Sequence, residues 1–145
     1  MITSGPLTVQ GGNAYTFYAL GRVAASNLLL MGTGDDVIAP AAGTTKLRVV
    51  HGASTAPAVD VYASAPFAPL SSNPAITSFP FALGSSYLSV PAGVYQARVT
   101  VAGTSNVAID SGRLPLTGGT VRTVVALDPT TPGGAFQLLV LPDVN

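Results

Sequence analysis

His51 is the only histidine of the chain, and Asp60 follows nine residues later across a short turn. If residues 46–51 and 59–63 form adjacent antiparallel strands, these two side chains can meet across the strands. A histidine held by a carboxylate can act as a general base. However, the nearby Ser54 lacks the glycine pattern that presents a nucleophile, and a lone His-Asp pair defines no catalytic triad. We therefore predict that His51 and Asp60 form a structural polar pair and that the protein is not an enzyme.

Asp35 and Asp36 are the other residues whose chemistry suits a metal ion. Calcium needs several further oxygen ligands at set spacing, and the chain has neither an Asp-x-Asp-x-Asp pattern nor any glutamate. We expect a solvated loop or a turn cap at these two residues. The glycine pairs at 11–12, 118–119 and 133–134 lack a following Lys-Ser/Thr, so they indicate hairpin turns and not phosphate loops. We predict no metal site and no cofactor.

The composition narrows the possible partners. Of the 145 residues, 48% are hydrophobic but only 8% are charged, and the net charge is zero. A typical soluble domain is about 25% charged. Nothing here supplies the basic surface that nucleic acids or a polybasic membrane contact require. No apolar run could insert into a bilayer. A neutral, sparsely charged surface favours association with other molecules.

Glycine and proline punctuate the chain every eight to twelve residues, between short runs rich in Val, Leu, Tyr and Thr. This rhythm is typical of an all-β sandwich or barrel. Residues 95–101 alternate between apolar and polar side chains, as a half-buried antiparallel strand does. The strands predicted from these patterns span 14–20, 27–31, 46–51, 59–63, 76–82, 86–90, 95–102, 107–116, 121–127 and 136–141.

A repeat with a period of 107 residues links the two ends of the chain. Residues 4–20 align without a gap on residues 111–127, with eight of seventeen identical, and NLLLM at 27–31 corresponds to QLLVL at 137–141. This spacing indicates a domain repeat and not a solenoid repeat. We therefore predict that residues 1–37 are a strand pair equivalent to the end of a preceding repeat. A linker at 38–45 and a complete domain at 46–145 follow.

Three motifs carry a resemblance to a known family. They are KLRVVHGASTAPAVDVY at 46–62, YLSVPAGVYQARVTVAG at 87–103 and VRTVVAL at 121–127. Together they resemble the domain of unknown function 4397, found in bacterial secreted and cell-surface proteins. The family often has Pro-Asp in the turn where this chain has Ser54-Thr55, so any role of that acid is absent here. The resemblance implies an immunoglobulin-like antiparallel β-sandwich, here with an extra N-terminal β-hairpin, and a location outside the cell or on its surface. The first nine residues have neither the basic nor the apolar region of a signal peptide, so we do not expect them to be one.

Two functions remain open. An isolated pair of strands is marginally stable in water, and the place of the N-terminal pair in the domain is already filled by residues 121–141. The first hypothesis is an extracellular structural module that self-assembles into a homo-oligomer or polymer, such as a filament, ring or surface layer. The strands that would mediate this assembly carry Tyr15, Phe17, Leu20, Leu28 and Leu30. The alternative is an accessory module that binds a cell-surface glycan or protein, with the hairpin as a truncation relic.

Overall fold

The computed structural model describes residues 8–144, with side chains up to Asp143. Apart from a 3-10 turn at Val23–Ala25, the regular elements of this part are strands. They are β1 (Ala14–Leu20), β2 (Leu29–Asp35), β3 (Thr44–Gly52), β4 (Val59–Ser64), β5 (Ile76–Phe79), β6 (Leu88–Pro91), β7 (Gly93–Val101), β8 (Val107–Asp110), β9 (Leu114–Leu116), β10 (Val121–Leu127) and β11 (Gln137–Val144).

Two sheets face each other and form an all-β sandwich. The first sheet has the strand order β11-β10-β3-β6, and the second has the order β5-β4-β7-β8, with β9 also paired to β7. Every second residue of a strand points to the same face, so alternate residues of β3, β4, β7 and β10 meet between the sheets. The core formed there consists of Val49, Val59, Val61, Phe79, Val99, Ile109 and Ala126.

The sandwich core is built mostly from small side chains. Valine and alanine predominate, with Phe79 as the aromatic member of the buried cluster. These side chains leave a cavity of ≈ 120 Å³ between the sheets, lined among others by Ala97, Val99 and Val124. Natural cores normally close such gaps by interdigitation. This core is therefore underpacked.

The pairing of β10 with β3 departs from a purely antiparallel fold. Val121 lies beside Lys46 and Leu127 beside Gly52, so the two strands run in the same direction. Parallel neighbours need a long connection. Residues 53–120, which contain β6 and all strands of the second sheet, form this connection between the end of β3 and the start of β10. The other strand pairs within residues 8–144 are antiparallel.

The N-terminal strand pair, hereafter the hairpin, forms a third layer. β1 and β2 pair only with each other among the described strands. Their side chains Tyr18 and Leu20 are buried against Val50 and Val125 of the first sheet, on the side away from the sandwich core. β3 and β10 are thus covered on both faces, which explains their almost continuous runs of buried residues.

Several strand boundaries differ from those that the sequence predicts. β2 extends to Asp35, and β3 begins at Thr44, two residues inside the predicted linker 38–45. The predicted strand 107–116 is two strands, because the chain turns at Gly112, where φ is +59° and Asp110 accepts the backbone N–H. These changes leave the predicted hairpin and sandwich in place.

Candidate functional site

The contact between the hairpin and the first sheet has an apolar part near the closed end of the hairpin. Leu29 and Met31 join Tyr18 and Leu20 there, and they pack on Phe81, Ala82, Leu127 and Leu141 of the domain. Gly52 permits the close approach, because a β-carbon at this position would meet the Leu20 side chain at 2.9 Å. These four hairpin residues define the inner face of the hairpin.

A buried arginine dominates the polar part of the same contact. Arg48 projects from β3 with only 2% of its surface exposed. Its guanidinium donates to groups of the hairpin and of β10 at 2.8–3.1 Å, and the Tyr87 ring lies 4.7 Å from its central carbon. The acceptors are the Thr123, Thr33 and Tyr18 hydroxyls, the Gly34 carbonyl and the Asp35 carboxylate.

Two buried carboxylates balance the charge of Arg48. Asp35 lies 2.8 Å from Nη2 and Asp143 lies 3.6 Å from it, and their side chains are 7% and 3% exposed. Burial by itself would lower the pKa of Arg48, but the hydrogen bond with Asp35 and the neighbouring charges raise it above its usual value. The arginine is therefore fully charged, and both strands of the hairpin are tied to it through Tyr18 and Asp35.

Hydroxyl groups complete the network around the two carboxylates. Thr16 donates to Asp35 at 2.7 Å, and Thr123 donates to Asp143 at 2.5 Å. Tyr87 also donates to Asp143, and burial together with this bond raises the pKa of its phenol. Because a buried charge is tolerated only when it is paired and hydrogen-bonded, the network fixes one position of the hairpin on the sheet.

Asp36 and Lys46 form a second, more exposed link between the hairpin and β3. Lys46 donates to the Asp36 carboxylate and to the Ile38 carbonyl, and the bond to Lys46 lowers the pKa of Asp36. Asp35 and Asp36 thus form ion pairs with the Arg48 and Lys46 side chains of β3 and are not a solvated acidic loop. Among the described residues, no cluster of three or more His, Cys, Asp or Glu side chains could hold a metal ion.

His51 and Asp60 do not bond to each other, so this predicted pair is not formed. The His51 ring bonds to the Pro57 carbonyl through Nε2 and accepts from the Ala53 N–H through Nδ1. Asp60 accepts the N–H groups of Ser78 and Gly103. The reason is topological, because β3 and β4 follow each other in sequence but belong to different sheets. His51 thus fixes the connection between β3 and β4, and Asp60 bonds to β5 and to the turn after β7.

Ser54 and Thr55, which occupy the turn after β3, bond to a different acid. Asp128, one residue beyond β10, accepts two backbone N–H and two hydroxyl bonds from them at 2.6–3.0 Å. Burial works against the ionised form, but these four bonds prevail and lower the pKa of Asp128. The turn is thereby attached to the end of the parallel neighbour of β3.

The predicted assembly residues divide between the two sides of the hairpin. Leu20 belongs to the inner face, whereas Tyr15, Phe17 and Leu30 alternate with it and lie on the opposite, outer face. Phe17 is 45% exposed. Its ring covers Gly32, where a β-carbon would meet it at 2.8 Å. Leu28 precedes β2 and is half-buried.

Sequence reasoning missed Arg48, Asp143 and the anchoring role of Asp35. One signal in the sequence pointed to Arg48. It stands between the apolar Leu47 and Val49, and the residues that follow in the same strand are buried. A charged residue within such a run indicates a polar contact on a face that is itself covered. Finding its partners would have required knowledge of the third layer.

The fold and the contact define a β-sandwich module that carries an accessory hairpin held by a buried ion network. A model of the domain of unknown function DUF4397 matches residues 1–62 and 69–145, so the chain belongs to this family. The break between the matched segments falls at 63–68, at the end of β4, and not at the predicted linker. None of the curated proteins matches the sequence. No helix in residues 8–144 is long and apolar enough to cross a membrane.

Proposed function

We propose that this protein is a non-enzymatic structural module that works outside the cell and assembles with copies of itself through its N-terminal hairpin. The observation that carries the proposal is the outer face of the hairpin. Phe17 is 45% exposed there, and Tyr15 and Leu30 lie on the same side of the same two strands. An exposed cluster of large apolar side chains commonly marks an interaction surface.

The strand edges of the hairpin support the same proposal. Within residues 8–144, β1 and β2 bond to each other and leave their outer backbone edges without a strand partner. An open edge can accept a strand from another chain. The charged fraction of 8% provides little electrostatic repulsion between approaching copies. The inner face is already buried, so association would use the outer face and the edges.

Light scattering after size-exclusion chromatography tests the proposal directly. The full chain should form oligomers whose mass rises with concentration, and Phe17→Ser should reduce them to monomers without changing the melting temperature. Leu139→Ser is a matched control, because Leu139 is 44% exposed on the edge strand β11. This control should assemble like the unmodified chain. A monomer at every concentration would contradict the proposal.

A point substitution is a sharper test than removal of residues 1–40. Deletion would strip Tyr18, Asp35 and Leu20 from the first sheet and leave Arg48 without its closest carboxylate. A loss of assembly in the deleted chain would then mix two effects, because the domain itself would be destabilised. Phe17→Ser changes only the outer face.

A groove on the second sheet favours one alternative function, an accessory module for a glycan or a protein. It has a volume of ≈ 550 Å³, and its lining includes Asp60 and the hydroxyl-bearing residues Tyr62, Ser71, Thr77 and Thr104. Hydroxyl and carboxylate groups of this kind can bond to sugar hydroxyls. A glycan array probed with the full chain tests this function, and an array without any binding would argue against it.

A further inference from the structure

The hairpin and the last two strands of the domain are structural equivalents. The repeat of 107 residues places residues 14–20 on residues 121–127, and these are the bounds that β1 and β10 have in the structure. Each strand is followed by an antiparallel partner, β2 or β11. The two strand pairs can therefore be compared position by position.

The inner face of the hairpin meets its own equivalent. Tyr18 and Leu20 correspond to Val125 and Leu127, and all four belong to the cluster between the hairpin and the first sheet. The polar positions match too, because Thr16 bonds to Asp35 as its equivalent Thr123 bonds to Asp143. Equivalent faces in mutual contact are the mark of a pseudo-two-fold relation between the two strand pairs.

The outer face of the hairpin corresponds to a face that is buried elsewhere in the molecule. Phe17 and Ala19 align with Val124 and Ala126, which are 4% and 5% exposed inside the sandwich. On β2, Leu30 pairs with Ala19, so its counterpart by register is Leu138, which pairs with Ala126 and packs against the sandwich core. Phe17, by contrast, is 45% exposed. The hairpin thus presents a core-type face that is only partly covered within residues 8–144, where Thr8 and Val9 lie beside Tyr15 and Phe17.

The free edge of β1 corresponds to the edge of β10 that is paired with β3. Its equivalent β10 is flanked by β11 on one side and by β3, in parallel, on the other. β1 has the first kind of neighbour, β2, but no described strand takes the place of β3. Both the exposed face and the open edge are therefore those of a sandwich that lacks the strands equivalent to β3–β8.

We propose that the hairpin is a joint shared by two modules. Its inner face docks on the module at residues 44–144, and its outer face and open β1 edge complete a second sandwich built from strands equivalent to β3–β8 of the same family. The two modules then stack first sheet against first sheet, with Arg48 buried between them. Because each module uses the same face, the contact closes as a pair and does not propagate through that face.

This inference goes beyond the proposed function, since it assigns the outer face to the strands of an incomplete second module and not to a complete copy of the chain, and it can be tested separately. A second copy of residues 38–110 is joined directly to Ser4, the equivalent of Ser111, so that the extension and the hairpin together contain a whole module. The chain from Ser4 onward follows unchanged. As the protein lacks cysteine, a single Phe17→Cys substitution then reports whether the outer face is covered.

The thiol at position 17 should react rapidly with a maleimide in the unextended chain when dilute, and at least tenfold more slowly in the extended chain. Val23→Cys is the control, because Val23 is 79% exposed in the connection between β1 and β2. Its thiol should react equally fast in both chains. In the extended chain, Phe17→Asp should unfold the extension alone, and Val23→Asp should leave it folded.

Two results would overturn the proposal that the hairpin is shared by two modules. One is a thiol at position 17 that stays as reactive in the extended chain as in the unextended one. The other is an extension that remains unfolded in the extended chain carrying Phe17. An unextended chain that is monomeric at every concentration would contradict the self-assembly proposal but would not affect this test.

Discussion

The two faces of the first sheet are buried by different means. On one face, Val49, Val124 and Ala126 meet the second sheet in a mainly apolar core with a cavity of ≈ 120 Å³. On the other, the apolar contact with the hairpin is joined by a buried ion network that includes Arg48 and Asp143. Apolar burial has no preferred direction, whereas a buried ion pair is satisfied in one geometry only. We infer that the apolar core stabilises the sandwich and that the ion network sets the position of the hairpin.

The largest effect is expected on the apolar side. Phe79 is 5% exposed in the sandwich core, and Phe79→Ala should lower the free energy of unfolding by about 3–5 kcal/mol. Phe17→Ala, on the outer face of the hairpin, should change it by less than about 0.5 kcal/mol. Urea unfolding of the two variants measures the difference. Equal losses would mean that the hairpin belongs to the same core.

The next effect concerns the ion network. Asp35→Asn removes the carboxylate closest to Arg48, and losing one partner of a buried pair is expected to cost about 3 kcal/mol. Limited proteolysis should then cut the segment at 36–43 faster, because the hairpin is held less firmly. Asp36→Asn, which removes only the more exposed link to Lys46, is the matched control and should be milder. If Asp35→Asn destabilised the protein less than Asp36→Asn does, the role assigned to the buried network would be refuted.

Acid should weaken the domain through carboxylates with lowered pKa values. The hydrogen bond from Gln96 lowers the pKa of Asp110, and the bonds from Ser54 and Thr55 lower that of Asp128 against the effect of burial. A group whose folded pKa is depressed stabilises the fold above its unfolded value of 3.8 and loses this contribution as pH falls further. Stability should therefore decline below about pH 4.

Asp128→Asn isolates one part of this acid sensitivity. It should cost about 1.5 kcal/mol at neutral pH, since it weakens four bonds to a charged acceptor. The substitution should also reduce the loss of stability that occurs as the pH falls below about 4. Urea unfolding across pH measures both effects. An unchanged pH profile would show that Asp128 does not contribute to it.

The smallest effect should come from filling the cavity. Ala97→Val adds two methyl groups to a side chain that lines it and should stabilise the domain by about 0.5–1 kcal/mol. Thermal unfolding should show a rise in melting temperature. A lower melting temperature would mean that the larger side chain overpacks the core.

Local features of the sequence were sufficient for part of this structure. β1 and β10 could be placed to the residue, because glycine pairs precede them and Gly21 or Asp128 ends them. The alternation in β7 likewise located the strand, but the half-buried arrangement it predicted is wrong, because the polar Gln96, Arg98 and Thr100 are buried. Such signals depend on the strand itself and its turns, so they can be read without knowledge of distant partners.

Other features depend on strand order, which local patterns do not encode. The His51–Asp60 pair was wrongly predicted because consecutive strands were assumed to be neighbours in one sheet. The role of Arg48 was missed because its acceptors come from three strands that are distant in sequence. The repeat could identify the hairpin, but only the three-dimensional structure could distinguish its inner face from its outer face.

The claim that other molecules cover the outer face of the hairpin can be measured in the unmodified chain. Hydrogen exchange of the β1 amides that do not bond to β2 should be followed at low and at high protein concentration. The account predicts fast exchange when the protein is dilute and strong protection when it is concentrated, while the amides of β10 stay protected throughout. Fast exchange along the open edge of β1 at every concentration would contradict it.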